Sequence, residues 1–484
     1  MKLRKIAVAM ALCVVMTACG TGAGDTPQGQ GTVTDAAVSE NVSGEETDPV
    51  QDVTDETGDP QDQGDSADAG QTEAADTEAD TQNGTDGAQD GTDAAQDGTD
   101  TDPEPVEAEE LTFITDAGTT TLNGYTVKPI PDNAAFEYIG GMGAGINLGN
   151  AFDASDCTWL TDELEYESAW CKAKTVPAYI DSLCNEGFNL IRIPVSWHNH
   201  VDKDYKISEQ WLARVTEVVD YCLDKDMYVI INIHHDVDKD YFYPDSAHAE
   251  NTLKYTETVW KQIAENFRDR SDRLIFECIN EPRLKGTDNE WWFPSENAAV
   301  LDAYKTLMDA NQCFVDTVRA TGGNNADRYL MVCGYCHIPS STVSNNFDIP
   351  SDTADNKIIV SVHSYRPYDF AGDKDGKTAF GEPEKRENKQ VFSSLYDRYV
   401  ANGIPVIIGE YGCTDKKNAE DRLHYYEFMG ECSALYSIPI IAWDNNAFNN
   451  TSSPQAETFG LIDRATGNVK LQELVDAITA TYVK

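Results

Sequence analysis

Residues 274–282 read Leu-Ile-Phe-Glu-Cys-Ile-Asn-Glu-Pro, and this stretch decides the fold that we predict. Its mostly apolar first part is typical of a buried strand, and the polar Asn280 and Glu281 follow where that strand should end. Residues 405–412, Pro-Val-Ile-Ile-Gly-Glu-Tyr-Gly, have the same form and end on Glu410. Two strand-end glutamates about 130 positions apart can meet only if the chain returns to the same face, which parallel β/α repetition achieves.

Apolar strand-like runs alternate with helical patterns from about residue 140 to the C-terminus. We predict helices at 176–185, 209–224, 253–267, 298–319, 389–402, 418–436 and 471–483, and strands at 143–148, 190–193, 228–233, 274–278, 329–332, 358–362, 406–409 and 440–443. Residues 333–357 carry no good helix pattern, so one crossover should be degenerate. This order predicts an α/β fold, a (β/α)8 TIM barrel. A doubly wound open sheet is the alternative, but no Gly-x-Gly-x-x-Gly follows an early strand and opens a helix.

Composition divides the 484 residues into unequal parts. Residues 20–110 contain no Lys or Arg and 27 Asp and Glu, and almost no large apolar residues. Such a segment cannot bury enough apolar surface to offset its ordering entropy, so we predict a disordered, acidic, low-complexity linker ahead of a folded domain at 111–484. The formal net charge of −48 argues against nucleic acid as a partner, because phosphate binding needs clustered Lys and Arg.

The N-terminus has the pattern of a secretory signal. Basic residues precede an apolar run at 6–15, which is too short for a membrane span, and Met-Thr-Ala-Cys-Gly follows at 16–20. This run resembles a bacterial lipoprotein box, which predicts a signal peptide at 1–19 and a lipid on Cys19. The domain would then be extracellular, attached to the bacterial cell surface by that lipid alone, with the linker as its tether. An ordinary signal peptide with an incidental cysteine is the alternative.

The sequence shows no pattern for a metal or cofactor. Ten further cysteines are scattered along the chain, and no Cys/His group has convincing zinc spacing. Asp236, Asp238 and Asp240 lack the glycine and the terminal glutamate of a recognisable calcium loop. We therefore predict that the protein needs no cofactor and binds no metal.

Polar or aromatic residues recur where the predicted strands end. They are Asn147, Arg192, His234, His235, Asn280, Glu281, His363, Tyr365, Glu410 and Trp443. Polar groups scattered through a core would be costly, so their recurrence at one strand end predicts a site. Two carboxylates without a metal cluster or a phosphate loop suit hydrolysis of a glycosidic bond, and facing strand ends favour the short separation of a retaining mechanism.

These motifs resemble glycoside hydrolase family 5, which belongs to a clan of barrel enzymes with glutamates after strands four and seven. The resemblance covers roughly residues 140–484. It implies that Glu281 in Asn280-Glu281-Pro282 is the general acid/base and that Glu410 is the nucleophile. It further implies that Arg192 keeps Glu410 ionised and that Trp443 is an aromatic platform under the sugar. Arg192 and Trp443 are also predicted in substrate binding, together with Asn147, His234, His235, Asn280, His363 and Tyr365.

The runs at 145–150 and 230–236 resemble the endoglucanase and xyloglucanase branch of that family. The resemblance implies a monomeric, secreted endo-β-1,4-glucanase acting on cellulose, mixed-linkage glucan, xyloglucan or glucomannan. Two alternatives stay open: a β-mannanase of the same fold, and a surface glycan-binding protein without hydrolytic activity. The second would show a substitution at Glu281, Glu410, Asn280 or Arg192, and all four residues are present.

Overall fold

The computed structural model of the chain describes residues 113–114, 121–122, 125–291, 293–448 and 457–480. The predicted signal peptide at 1–19 with Cys19, and the predicted linker at 20–110, lie outside the described residues. Four short strands precede the main sheet: β1 (Phe113–Ile114), β2 (Thr121–Leu122), β3 (Tyr125–Thr126) and β4 (Ile130–Pro131). β1 pairs antiparallel with β4, and β2 pairs antiparallel with β3.

Eight parallel strands in the described part of the chain close into a barrel. They are β5 (Ala144–Leu148), β6 (Phe188–Ile193), β7 (Tyr228–Asn232), β8 (Leu274–Glu277), β9 (Leu330–Cys333), β10 (Ile358–His363), β11 (Val406–Tyr411) and β12 (Ile440–Asp444). Each strand pairs with its neighbours in sequence, and β12 pairs with β5 to close the ring. The predicted (β/α)8 barrel is confirmed, and the open-sheet alternative is excluded because this sheet has no edge.

Helices surround the barrel between successive strands. They are α1 (Ala134–Gly140), α2 (Tyr166–Ala169), α3 (Pro177–Asn185), α4 (Glu209–Leu223), α5 (Ala249–Asn266), α6 (Ala298–Ala320), α7 (Pro339–Thr342), α8 (Tyr368–Ala371), α9 (Glu382–Arg398), α10 (Ala419–Tyr436) and α11 (Gln472–Ala480). The crossover between β9 and β10 carries only the four-residue α7, as the missing helix pattern predicted. No helix among the described residues is long and apolar enough to span a membrane.

Helix α9 begins seven residues before the predicted start. Its first turns read Glu-Pro-Glu-Lys-Arg-Glu-Asn and show no apolar stripe, so hydrophobic periodicity could not detect them. The start is fixed by capping: Glu384 returns to accept the backbone N–H of Gly381 at 3.0 Å, and Pro383 suits the first turn. Backbone capping therefore extends this helix beyond the part that packs on the barrel.

Burial explains why the barrel strands read as continuous apolar runs. Every residue of β5, β7, β8 and β11 is buried, because the helices cover one face of the sheet and the barrel interior covers the other. Helices α4 and α6 show the complementary pattern, because the residues that they bury are mostly apolar and recur at three- and four-residue spacing. None of the ten cysteines in the described residues forms a disulfide.

Candidate active site

The two predicted catalytic glutamates meet at one mouth of the barrel. Glu281 follows β8, and Glu410 lies within β11. One carboxylate oxygen of each lies within 4.8 Å of the other, with a ring nitrogen of His363 in the same cluster. His363 Nδ1 is 3.0 Å from Glu281 Oε1 and 3.7 Å from Glu410 Oε1. The barrel therefore places both carboxyls around one small space.

Arg192 lies fully buried directly beneath Glu410. Its Nη1 donates to Glu410 Oε1 at 2.8 Å and to Asn147 Oδ1 at 3.0 Å, and its Nη2 donates to Asn280 Oδ1 at 2.8 Å. Asn147 in turn donates to the carbonyl of Gly409 at 2.9 Å. One guanidinium thus fixes three side chains from three different strand ends.

A third carboxylate, Glu277 in β8, lies below this layer and is missing from the residues predicted from sequence. Its Oε2 accepts from Arg192 Nε at 2.7 Å and from Asn232 at 3.0 Å, and its Oε1 accepts from Ser361 at 2.6 Å. Burial opposes its charge, but Arg192 and then His337 hold the pKa of Glu277 well below its usual value. The sequence signal for this position was a charged residue inside an apolar strand. An isolated carboxylate would be too costly to bury there, so its presence indicates a buried partner.

Burial and charge act in opposite directions on Glu410. Burial, and after it the charge of Glu281, raises the pKa of Glu410 to about 8, although Arg192 and a hydrogen bond from Tyr365 act to lower it. The Tyr365 hydroxyl donates to Glu410 Oε2 at 3.0 Å. Arg192 alone therefore does not set the charge of Glu410. Burial and the neighbouring carboxylate together outweigh the two contacts that favour the ionised form of Glu410.

The histidines of the site are kept neutral by their surroundings. Burial, then the charges of neighbouring histidines and Arg192, lowers the pKa of His234 and of His363 well below the usual value. Burial and the nearby Arg283 lower the pKa of His235 to about 3. Neutral imidazoles can accept or donate single hydrogen bonds here without adding positive charge beside Glu410.

Trp443 forms one wall of the site, and a glycine allows it to lie there. Its ring is nearly parallel to that of His234, at 8°, with 6.1 Å between the ring centroids. A Cβ atom on Gly149 would lie 2.6 Å from Cζ2 of Trp443 and 2.9 Å from the carbonyl oxygen of Asp444. Glycine at this position is thus needed for the close approach of the indole ring.

A cavity of about 330 Å³ opens above the two glutamates. Seven of the ten predicted site residues line it: His234, His235, Asn280, Glu281, Tyr365, Glu410 and Trp443. Aromatic side chains extend the walls on several sides, namely Trp159, Trp170, Trp291, Tyr368 and Phe459. The combination of flat aromatic faces and a few polar groups suits a neutral polyhydroxylated ligand.

Three predicted site residues do not line this cavity. Asn147 and Arg192 are fully buried beneath its floor, and His363 lies behind the two carboxyls. The part in substrate binding that was predicted for Asn147 and Arg192 stays a prediction. Their contacts are those of residues that position Glu410 and Asn280.

Side chains of metal-ligand type cluster at three places in the described residues, all within this site. The clusters are Asp153 with His234 and His235, Glu277 with His337 and His363, and Glu281 with His363 and Glu410. Their donor atoms are already engaged in part, since Glu277 and Glu410 each accept from Arg192. Glu277 and Glu410 thus belong to a hydrogen-bonded network centred on the guanidinium of Arg192.

Comparison with known proteins agrees with this geometry. Residues 152–449 match the family described as cellulase, glycosyl hydrolase family 5. Endoglucanase A of Clostridium longisporum is 36% identical over 377 residues, which cover 77% of this chain and 70% of that protein.

Two solved structures have the same fold. A family 5 lichenase from Caldicellulosiruptor sp. F32 has a TM-score of 0.72 and 42% identity, over 76% of this chain and 100% of that one. A xyloglucan-specific endo-β-1,4-glucanase from a metagenomic library, in complex with cellotriose, has a TM-score of 0.65 and 33% identity, over 72% of this chain and 98% of that one. The chain therefore belongs to glycosyl hydrolase family 5, the cellulase family, and is a glycoside hydrolase.

Proposed function

We propose that this protein is a retaining endo-β-1,4-glucanase that hydrolyses β-glucan polysaccharides. The observation that carries the proposal is the placement of the Glu281 and Glu410 carboxylate oxygens within 4.8 Å of one another. Retaining glycosidases hold their two carboxyl groups about 5–5.5 Å apart, whereas inverting enzymes leave about 6.5–9.5 Å for an intervening water. The short gap thus favours direct attack on the sugar by one carboxylate.

Two displacements account for the hydrolysis. In the first, Glu410 bonds to the anomeric carbon while the glycosidic C–O bond breaks and the leaving oxygen takes the proton of Glu281. In the second, Glu281 removes a proton from water, whose oxygen bonds to the anomeric carbon and releases Glu410. Glu281 loses its proton in the first step and regains one in the second, so the two steps together return both carboxyls to their starting protonation states.

Hydrogen bonding favours Glu281 as the carboxyl that starts with the proton. Glu410 accepts from Arg192 and from Tyr365, and both contacts are stronger when Glu410 is ionised. Burial is the largest cause of the raised pKa of Glu410, and the charge of Glu281 adds to it; once the proton lies on Glu281, that second cause disappears. The state needed for attack is therefore also the state in which the hydrogen bonds of Glu410 are best satisfied.

A neutral glucan fits the residues around the cavity. Asn280 uses its Oδ1 to accept from Arg192, which leaves its amide N–H2 as a donor for a sugar hydroxyl beside Glu281. Trp443 offers a flat apolar face on the opposite wall. The relatives named above act on lichenan-type glucan, on xyloglucan or as endoglucanases, and we propose substrates from this same group.

Product analysis with a Glu410→Gln variant tests the mechanism. Reducing-sugar release should be measured on cellulose, mixed-linkage glucan, xyloglucan, glucomannan and mannan. We expect the wild type to cleave at least one β-glucan, Glu410→Gln to lose nearly all turnover, and the surface variant Glu265→Gln to behave as wild type. Proton NMR of early products should show the β-anomer first. An initial α-anomer, or near-normal turnover by Glu410→Gln, would contradict the proposal.

We further propose that the protein is secreted and held at the bacterial cell surface through a lipid on Cys19. The support is the sequence at 1–20, with its basic start, its apolar run and its Met-Thr-Ala-Cys-Gly segment. Mass spectrometry of the mature N-terminal peptide tests this. A lipid-sized mass increase on Cys19 that is absent from Cys19→Ala is expected, and an unmodified Cys19 in the mature protein would refute the anchor.

A further inference from the structure

The backbone at Glu281 has an unusual conformation. Its φ is 42°, in the left-handed region that non-glycine residues seldom adopt. A residue held in this region needs its surroundings to hold it there, and such residues concentrate at functional sites. The question is which contacts of the described residues keep Glu281 in place.

Two side chains hold the peptide groups on either side of Glu281. His337 Nδ1 accepts the backbone N–H of Glu281 at 3.0 Å, and Arg283 Nη1 donates to the backbone carbonyl of Glu281 at 2.9 Å. His337 is itself in the left-handed region, with φ 53°, and is fully buried. The backbone N–H of Cys336 also donates to the carbonyl of Pro282 at 2.8 Å, and the hydroxyl of Tyr335 accepts the backbone N–H of Leu284 at 2.9 Å, so the loops after β8 and β9 are joined at several points.

The contact with Glu281 determines the tautomer of His337. Because Nδ1 accepts a hydrogen bond, the ring proton is on Nε2. Nε2 lies 3.5 Å from Oε1 of Glu277, the buried carboxylate that also binds Arg192. The two ends of one imidazole therefore connect the backbone of Glu281 with the carboxylate network beneath Glu410.

The ring of His337 also supports the side chain that contacts Glu281. It stacks on His363, with 4.1 Å between the ring centroids and 23° between the planes. His363 Nδ1 in turn lies 3.0 Å from Glu281 Oε1. His337 thus contacts Glu281 directly at the backbone and indirectly at the carboxyl.

We propose that His337 is a positioning residue that aims the carboxyl of Glu281 at the glycosidic oxygen. The proposal rests on the function of Glu281 as acid/base proposed above. Without the acceptor at Nδ1, the backbone of Glu281 relaxes from its left-handed conformation and the carboxyl moves away from the bond that it protonates. The nucleophile Glu410 keeps its contacts with Arg192 and Tyr365. The loss should therefore fall on proton transfer and not on nucleophilic attack.

Aryl β-cellobiosides separate these two effects. The 2,4-dinitrophenolate leaving group departs without being protonated, whereas the unsubstituted phenolate must be protonated as it leaves. Only the phenyl cellobioside therefore requires a well-placed acid in the first step. Azide attacks the glycosyl-enzyme without a general base, so it rescues the second step when the base is misplaced. Four variants of the full chain are compared with wild type: His337→Ala, His337→Gln, His337→Asn and, as a control, His200→Ala. His200 is a buried histidine stacked on Trp211, away from the cavity lining.

The three substitutions at His337 differ in what they keep. Asn places its Oδ1 near the position of Nδ1, and it is among the residues that tolerate positive φ. Gln reaches toward Glu277 but has no acceptor at the Nδ1 position. We expect His337→Ala and His337→Gln to lose about 10²-fold in kcat/KM on the phenyl substrate, the scale of a catalytic group misplaced by about 1 Å, and less than about 5-fold on the dinitrophenyl substrate. Azide should accelerate turnover by His337→Ala and by His337→Gln. The His337→Asn variant should recover most of the activity that these two variants lose.

Several outcomes would overturn the proposal. Equal losses on the two substrates, no effect of azide, or a His337→Asn variant as poor as His337→Gln would each reduce His337 to a structural role. If His337→Ala does not fold by circular dichroism, the comparison of Asn with Gln decides the outcome alone. A wild type that releases neither phenol would instead count against the proposed function, and it is measured first. His200→Ala should show no dependence on the leaving group.

Discussion

The hydroxyl of Tyr365 should set the pH at which the enzyme loses activity in acid. It donates to Glu410 Oε2 at 3.0 Å, and Glu410 is buried. Burial raises the pKa of Glu410 to about 8, with Arg192 and the Tyr365 hydrogen bond opposing that rise. The substitution Tyr365→Phe removes one of the opposing contacts and leaves the ring in place. The pKa of Glu410 should therefore rise further.

The size of the shift follows from the strength of the lost hydrogen bond. A hydrogen bond to a charged group contributes about 1.5–3 kcal/mol, and one pKa unit corresponds to about 1.4 kcal/mol. We therefore expect the acid limb of the kcat/KM profile to move up by about 1–2 pH units, because attack requires ionised Glu410. At pH values below the acid limb of the wild type, kcat/KM of Tyr365→Phe should be roughly 10- to 100-fold lower than that of the wild type. The difference should become smaller as the pH rises.

The measurement is a pH profile of kcat/KM on a soluble β-glucan or an aryl cellobioside. Tyr396→Phe is the matched control, because its hydroxyl donates to the carbonyl of Pro129 at 2.8 Å and does not touch the cavity. The control should keep the wild-type limb. An acid limb that stays in place in Tyr365→Phe, or moves to lower pH, would refute the reasoning.

Three further predictions concern the layer beneath the site, its aromatic wall and its independence of metals. Glu277→Gln should lower the free energy of unfolding by about 3–5 kcal/mol in urea denaturation, because it removes one carboxylate from the buried Arg192; a loss below about 1 kcal/mol would contradict this. Trp443→Ala should lower kcat/KM on cello-oligosaccharides by roughly 30- to 150-fold, which is equivalent to about 2–3 kcal/mol of lost stacking and burial. Gly149→Ala should lower kcat/KM by a smaller factor, because the added Cβ atom displaces the same indole ring. Dialysis against a chelator should leave the rate of glucan hydrolysis unchanged, and restoration of a lost rate by Ca²⁺ or Zn²⁺ would show that a metal is needed.

Local pattern was sufficient to predict the barrel. Strands such as β7 and β8 are buried on both faces and read as apolar runs, and helices such as α4 pack on the barrel through one apolar stripe. Neighbouring residues therefore carry the signal for the alternation of strand and helix. Strand ends in a parallel barrel share one mouth, so the convergence of Glu281 with Glu410 also followed from their positions after β8 and in β11. The start of α9 did not follow, because capping and not periodicity fixes it.

The layer beneath the site depended on tertiary structure. Glu277 and Arg192 are 85 positions apart, and nothing local relates them. The same holds for His337, whose contact with Glu281 spans 56 positions between two loops. Sequence position also could not separate residues that line the cavity from residues that lie under it, as with Asn147 and Arg192.

The amino-acid sequence by itself determined the type of fold, the mouth at which the chemistry lies and the two carboxyls that face each other there. These follow from backbone geometry and hydrophobic periodicity, which act between near neighbours in the chain. Only the closed barrel decided which oxygen accepts a hydrogen bond from which nitrogen, and hence the charge of Glu410 and the tautomer of His337. It also decided that Arg192 is buried beneath the cavity. The physical reason is that burial and hydrogen bonding depend on distances of a few ångströms between residues far apart in sequence, and closure of the ring fixes those distances.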